Sequence, residues 1–308
     1  MFRDGWVKYG FGPDLLPMSK SLPFIIDYRA ATPHPKFTDP LRIAQEVCRE
    51  MYDSLPKPLT LMVSGGVDSQ AMTYAFASSG VPFRLVMARY EPRGINDHDI
   101  EGTFYREHGL QPELMEFDIL KFHEDELFDW GVRYQNNSPH IITHMKIASL
   151  LDGGTVISSG CLVNREPIGT MSYSVFGMER YARLSGQNVI GFFFNYDPHL
   201  LWALNAIKPI QDDVYETKCD LYRRAGFPVV PQPNKQHGFE KIKDLYDDRK
   251  VDPGKRIQSI GQPSQRPYDL LFRYPLVKAV PYSQEALTLH PDDKYRNALP
   301  NRLPRRHF

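Results

Sequence analysis

Residues 59–77 read Leu59-Thr60-Leu61-Met62-Val63-Ser64-Gly65-Gly66-Val67-Asp68-Ser69-Gln70-Ala71-Met72-Thr73-Tyr74-Ala75-Phe76-Ala77, and this stretch decides the fold. Its first five residues form an apolar run that follows Pro56-Lys57-Pro58, which predicts a short buried strand. Two glycines break the run, and from Gln70 to Ala77 helix formers take over, so the order is strand, glycine turn, helix. Glycine in such a turn allows positive φ and close approach of the backbone to a ligand, and the N–H groups at the helix start act as donors. With the hydroxyls of Ser64 and Ser69 added, the turn is chemically suited to cradle anionic oxygens.

Working outward, Thr38-Asp39-Pro40 sets a capping residue before a proline suited to the first helical turn. Leu41, Ala44, Val47, Cys48, Met51 and Leu55 then recur at helical spacing, predicting a helix over residues 40–54. Downstream, β and α patterns alternate: a strand from Phe83 to Ala88, a helix over 97–108 closing at Gly109, a strand from Leu114 to Asp118, a helix over 139–151 and a strand from Thr155 to Ser159. Repeated βα units predict an α/β, Rossmann-like parallel sheet with helices on both faces. Beyond residue 160 the pattern is mostly helical, with one helix capped by Asp212 or Asp213 that runs to Arg224 and stops at Gly226, and another from Phe239 to Tyr246. Three regions are expected: an irregular N-terminal arm (1–38), the α/β domain (39–250) and a Pro/Arg-rich C-terminal extension (251–308).

The 308 residues carry 37 Lys+Arg against 37 Asp+Glu, so nucleic-acid binding has to be argued from a local patch. The one basic cluster is Lys294, Arg296, Arg302, Arg305 and Arg306 in the tail, which makes nucleic acid a candidate partner. Three cysteines without CxxC spacing predict neither a disulfide framework nor a Cys-rich zinc site, and suit a reduced, cytoplasmic chain. No membrane span is expected, since the apolar stretch after Val189 is interrupted by Asn195, Asp197 and Pro198.

The segment Ser64–Ser69 lacks the lysine of the Walker loop and the GxGxxG spacing of dinucleotide folds. Asp68 brings a carboxylate beside the anion site, where a hard cation, Mg²⁺, relieves the repulsion. As a whole, Ser64-Gly65-Gly66-Val67-Asp68-Ser69 resembles the SGGxDS motif of the N-type ATP pyrophosphatases, the PP-loop superfamily, over about residues 45–245. The resemblance implies an adenine nucleotide alpha hydrolase-like fold, ATP as cofactor with Mg²⁺, and cleavage between the α- and β-phosphates. It assigns Ser64, Gly65, Gly66, Val67, Asp68 and Ser69 to nucleotide binding, with Asp68 also on the metal. Met87 and Ala88 match the strand that holds adenine in relatives, Met87 being equally readable as core. Arg165 matches a phosphate contact and Glu166 a second Mg²⁺ ligand, although the loop departs from the common Gly-His form with a following Asp. Lys218 lies in a stretch similar to one where a lysine neutralises the leaving pyrophosphate, or else belongs to a solvated helix face with Arg223 and Arg224.

Other residues offer less. Arg89 and Arg93 sit past the second strand as phosphate contacts or surface arginines; Cys161 is a nucleophile without a placed His partner or a structural thiol; Lys235 to Gly238 are substrate candidates; His140 and His144 read as a helix-surface pair. The chain starts Met1-Phe2-Arg3, without the Cys of a built-in amidotransferase, so ammonia is expected from elsewhere. Scattered cysteines disfavour sulfur transfer, and the C-terminus lacks the Cys of sulfonucleotide reductases. The reading that results is an AMP- and pyrophosphate-forming ligase or synthase that adenylates a carboxylate or carbonyl/amide oxygen of a small metabolite or nucleobase. Its alternatives are a non-catalytic nucleotide-binding or structural protein, and a tRNA-base-modifying enzyme of the lysidine synthetase type.

Overall fold

A computed structural model describes residues 7–9, 24–26, 39–91, 104–134, 136, 139–158, 173–207 and 214–231. Strands β1 (Val7–Tyr9) and β2 (Phe24–Ile26) pair antiparallel, so the arm expected to be irregular carries a small two-stranded ladder. Helix α1 (Pro40–Ser54) matches its predicted span: the Asp39 carboxylate accepts from Arg42 N at 3.1 Å, and Ile43, Ala44, Val47, Cys48 and Met51 form its buried stripe.

The central layer is a five-stranded sheet in the order β5-β4-β3-β6-β7, parallel throughout. These strands are β3 (Leu59–Val63), β4 (Arg84–Glu91), β5 (Glu113–Asp118), β6 (Gly154–Ile157) and β7 (Asn188–Ile190). β3 lies in the middle, with Leu61 opposite Leu85 of β4 and Val156 of β6, and all five of its residues are buried. A parallel strand covered on both faces needs apolar residues on both, which is why Leu59 to Val63 lacks alternation.

Helix α2 (Val67–Ser79) is buried on nearly every side and packs against α1 and against α10 (Val214–Arg224), while α1 packs on α9 (Pro198–Asn205) and α9 on α8 (Phe193–Tyr196). A second layer comprises α4 (Ile119–Asp125), α5 (Leu127–Arg133), α6 (Pro139–Ala148) and α7 (Tyr173–Ser185), each packed on the next. α3 (Phe104–Glu107) closes at Gly109, whose φ is 64°, as predicted; residues 97–103 of the expected helix lie outside the described residues.

Three expectations shift. α6 ends at Ala148, since Ser149, Leu150 and Leu151 tighten into i→i−3 hydrogen bonds before Gly153 reverses the chain at φ 72°. β6 stops at Ile157 and leaves Ser158 beyond the strand. The fold also contains β7, α4 and α5, which the sequence reading did not assign. The expected helix from Phe239 to Tyr246 and the basic tail lie outside the described residues. Among the described residues no helix is long and apolar enough to cross a membrane.

Candidate functional site

From β3 the chain builds β4 and β5 to one side, then returns to place β6 and β7 on the other. The carboxyl ends of β3 and β6 therefore border the topological switch point, where open α/β sheets bind ligands. Ser64, Gly65 and Gly66 leave β3 at this point and Ser158 leaves β6 there.

Three hydroxyls meet at the switch point. Ser69 Oγ accepts from Ser64 N at 2.9 Å, lies 3.2 Å from Ser64 Oγ, and lies 2.7 Å from Ser158 Oγ, 89 positions away. Gly66 is the N-cap of α2 and has no side chain to accept from the first amides of the helix, which have no intrahelical acceptors of their own. Its φ is −73°, and neither Gly65 nor Gly66 is a positive-φ glycine, so the pair provides close backbone access without using the positive φ that glycine allows.

The loop is held from three directions. Tyr105 of α3 donates to Ser64 O at 2.8 Å, and burial pushes the pKa of this phenol up, so it stays a donor. Gln70 Nε2 donates to Gly65 O at 3.0 Å. In a trans peptide the N–H points opposite to the C=O, so Gly66 N–H faces away from Gln70 and towards Ser64 Oγ, 3.3 Å away.

On the other side of the first turn, Asp68 meets α10. Lys218 Nζ lies 3.0 Å from Asp68 Oδ2 and 3.4 Å from Oδ1, and Tyr222 OH donates to Oδ1 at 2.7 Å. Lys218 and Tyr222 are four residues apart and so share one helix face. Their surroundings differ: Tyr222 is wholly buried against the rings of Phe194 and Phe227, whereas Lys218 and Asp68 keep 17% and 21% of their side chains exposed. Lys218 thus lies partly buried against Asp68 and not on an open helix face.

The remaining candidates separate. Met87 and Ala88 are buried in the core; Met87 stands opposite Val63, next to the loop, and β4 continues past the end of β3 in register with β5 to Glu91. Arg89 is exposed on β4 opposite Glu116. Arg93, Cys161, Arg165, Glu166 and Lys235 to Gly238 lie outside the described residues. His140 and His144 stack edge to face at 4.2 Å on α6. Cys48 and Cys219 are buried, and burial holds the Cys48 thiol well above its ordinary pKa, as befits a protonated core group.

Sequence reasoning missed Ser158, Tyr105, Gln70 and Tyr222. Only Ser158 had a local signal, a polar residue at the carboxyl end of a buried strand. Among the described residues no three His, Cys, Asp or Glu side chains gather as a metal cluster. A single carboxylate such as Asp68 is compatible with Mg²⁺, which is commonly held by one or two carboxylates together with substrate phosphates.

No protein-family model matches the chain, and no curated protein matches it. Among solved structures, it is similar to a predicted subunit of tRNA methyltransferase from Methanocaldococcus jannaschii, with 12% identity over 57% of this chain and 93% of that one at a TM-score of 0.30. It is also similar to the U34-tRNA thiolase NcsA from Methanococcus maripaludis, solved with its 4Fe-4S cluster, with 16% identity over 83% of this chain and 88% of that one at a TM-score of 0.30.

Proposed function

We propose that the protein binds ATP with its pyrophosphate portion on Ser64–Ser69 and transfers AMP to a carboxylate or carbonyl/amide oxygen, releasing pyrophosphate. The supporting observation is the meeting at one switch point of the α2 amino end and three serine hydroxyls, with Lys218 held on Asp68 in the first turn of the same helix. Amide and hydroxyl donors suit the non-bridging oxygens of a pyrophosphate, and a nearby ammonium suits the charge that builds on the leaving group. The group is preorganised: Tyr105 and Gln70 fix the loop carbonyls, so its N–H groups need little rearrangement when the anion arrives. Mg²⁺, held by Asp68 with the phosphates, would supply further charge neutralisation. Displacement of AMP by a nucleophile would complete the reaction.

The test is pyrophosphate release from Mg-ATP by wild type and Asp68→Ala, with and without a pooled extract of metabolites and tRNA. Release that requires the extract and disappears in the variant supports adenylation and identifies the fraction holding the substrate. Orthophosphate release contradicts α–β cleavage. ATP binding without either product favours the nucleotide-binding alternative.

A further inference from the structure

Asp68 is the one assigned loop residue whose charge is already matched by another part of the chain. Lys218 arrives from α10, 150 positions away, and its ammonium lies nearer Oδ2 while the Tyr222 hydroxyl holds Oδ1. The two ties differ in kind. Tyr222 is locked in aromatic packing with Phe194 and Phe227, whereas Lys218 carries a flexible four-carbon stem and a partly exposed charge. α10 is fixed a second time downstream, where Val230 N donates to Gln70 Oε1 at 2.7 Å and Val230 O accepts from Gln70 Nε2 at 3.2 Å. The Lys218 ammonium can therefore change partner without α10 leaving α2.

We propose, building on the nucleotide-binding reading above, that Lys218 is an exchangeable counter-ion: it neutralises Asp68 while the loop is empty, and passes to the pyrophosphate oxygens once the carboxylate is engaged by a divalent cation. The hydroxyl of Tyr222 keeps the carboxylate in place during the exchange. Two consequences follow from charge alone. Lys218 competes with a divalent cation for Asp68, and Asp68 competes with an anion for Lys218. Loss of the ammonium thus strengthens cation binding and weakens anion binding.

The experiment measures two binding events on the full chain, neither of which involves turnover. Mn²⁺ alone is titrated by electron paramagnetic resonance of the free ion, and pyrophosphate alone is titrated calorimetrically without metal. For Lys218→Met the expected result is Mn²⁺ binding tighter by about threefold or more and pyrophosphate binding weaker by about tenfold, the size of one charge-assisted hydrogen bond. Lys218→Arg keeps the charge and should restore pyrophosphate binding while reversing the gain in Mn²⁺ affinity. If Lys218→Met weakens both ligands together, or changes neither, the exchange is overturned and Lys218 is a structural brace. A nucleotide-binding protein without turnover would still show the opposed shifts, whereas an active enzyme lacking them would lose this inference and keep the proposed function.

Discussion

Gln70 and Val230, 160 positions apart, exchange two hydrogen bonds in the manner of neighbouring strands: the amide of one side chain meets both backbone groups of the other residue, at 2.7 and 3.2 Å. The second amide hydrogen of Gln70 is used on Gly65 O, so this fully buried side chain has both donors and its acceptor engaged. Gln70→Leu would bury the same volume and leave three backbone groups without that partner. At about 1–3 kcal/mol per unsatisfied buried group, partly relieved by water at Val230, a loss of roughly 3 kcal/mol is expected. Urea unfolding with an unchanged m-value would show it; a loss below about 1 kcal/mol would mean that water takes over the clamp.

Ser158 reaches the loop from β6 through Ser69 Oγ, so Ser158→Ala removes one hydroxyl and leaves the Ser64 N to Ser69 Oγ bond standing. Pyrophosphate affinity should drop about fivefold, the net worth of one neutral hydrogen bond. Ser69→Ala removes the hub of the trio and should cost more. Equal affinities of wild type and Ser158→Ala by calorimetry would place the anion away from β6.

What the sequence made legible was local. The strand–turn–helix at 59–79 and the capped helix at 40–54 are written in adjacent residues, and both match the structure closely. β7 was hidden because three residues, Asn188–Ile190, open a long apolar stretch whose strand and helix parts share no distinguishing period. α4 was hidden because Asp118 both ends β5 and caps the helix, accepting from Lys121 N at 2.8 Å. The site divides the same way. Ser64, Asp68 and Ser69 lie within one turn of chain, whereas Tyr105, Ser158, Tyr222 and Val230 act through pairings 41 to 160 positions apart that no spacing encodes.

Gly153 and Gly186 have almost the same backbone, φ 72° and 70°, in different surroundings. A Cβ at Gly186 would meet nothing within 4 Å, whereas one at Gly153 would sit 2.1 Å from Pro58 O, in the backbone that leads into β3. Gly186→Ala should therefore cost only the left-handed strain of about 1–2 kcal/mol. Gly153→Ala must also displace Pro58 and with it one of the two carbonyl acceptors of Gly154 N, so its loss should be clearly larger, or the variant should fail to fold. Comparable melting temperatures for the two variants would show that the chain at Pro58 yields freely.

His123 makes folding pH-dependent through α4. Its side chain is wholly buried, and Nε2 lies 2.8 Å from Thr143 Oγ1. The Thr143 hydroxyl donates to Pro139 O at 2.8 Å, so it accepts from His123 and Nε2 carries the ring proton. Burial lowers the pKa of the ring from its ordinary 6.5 to about 3. The folded state therefore keeps a neutral imidazole where the unfolded chain takes up a proton. Stability from this residue is complete above about pH 6.5 and falls as the pH drops towards 3, by up to about 1.4 kcal/mol per unit. His123→Gln preserves a donor to Thr143 and has no proton to take up. Carboxylates contribute equally to both proteins, so the difference between their unfolding free energies isolates His123. Between pH 7 and pH 5 that difference should move by roughly 2 kcal/mol in favour of the variant. Parallel stability curves over this range would mean that His123 accepts its proton inside the fold.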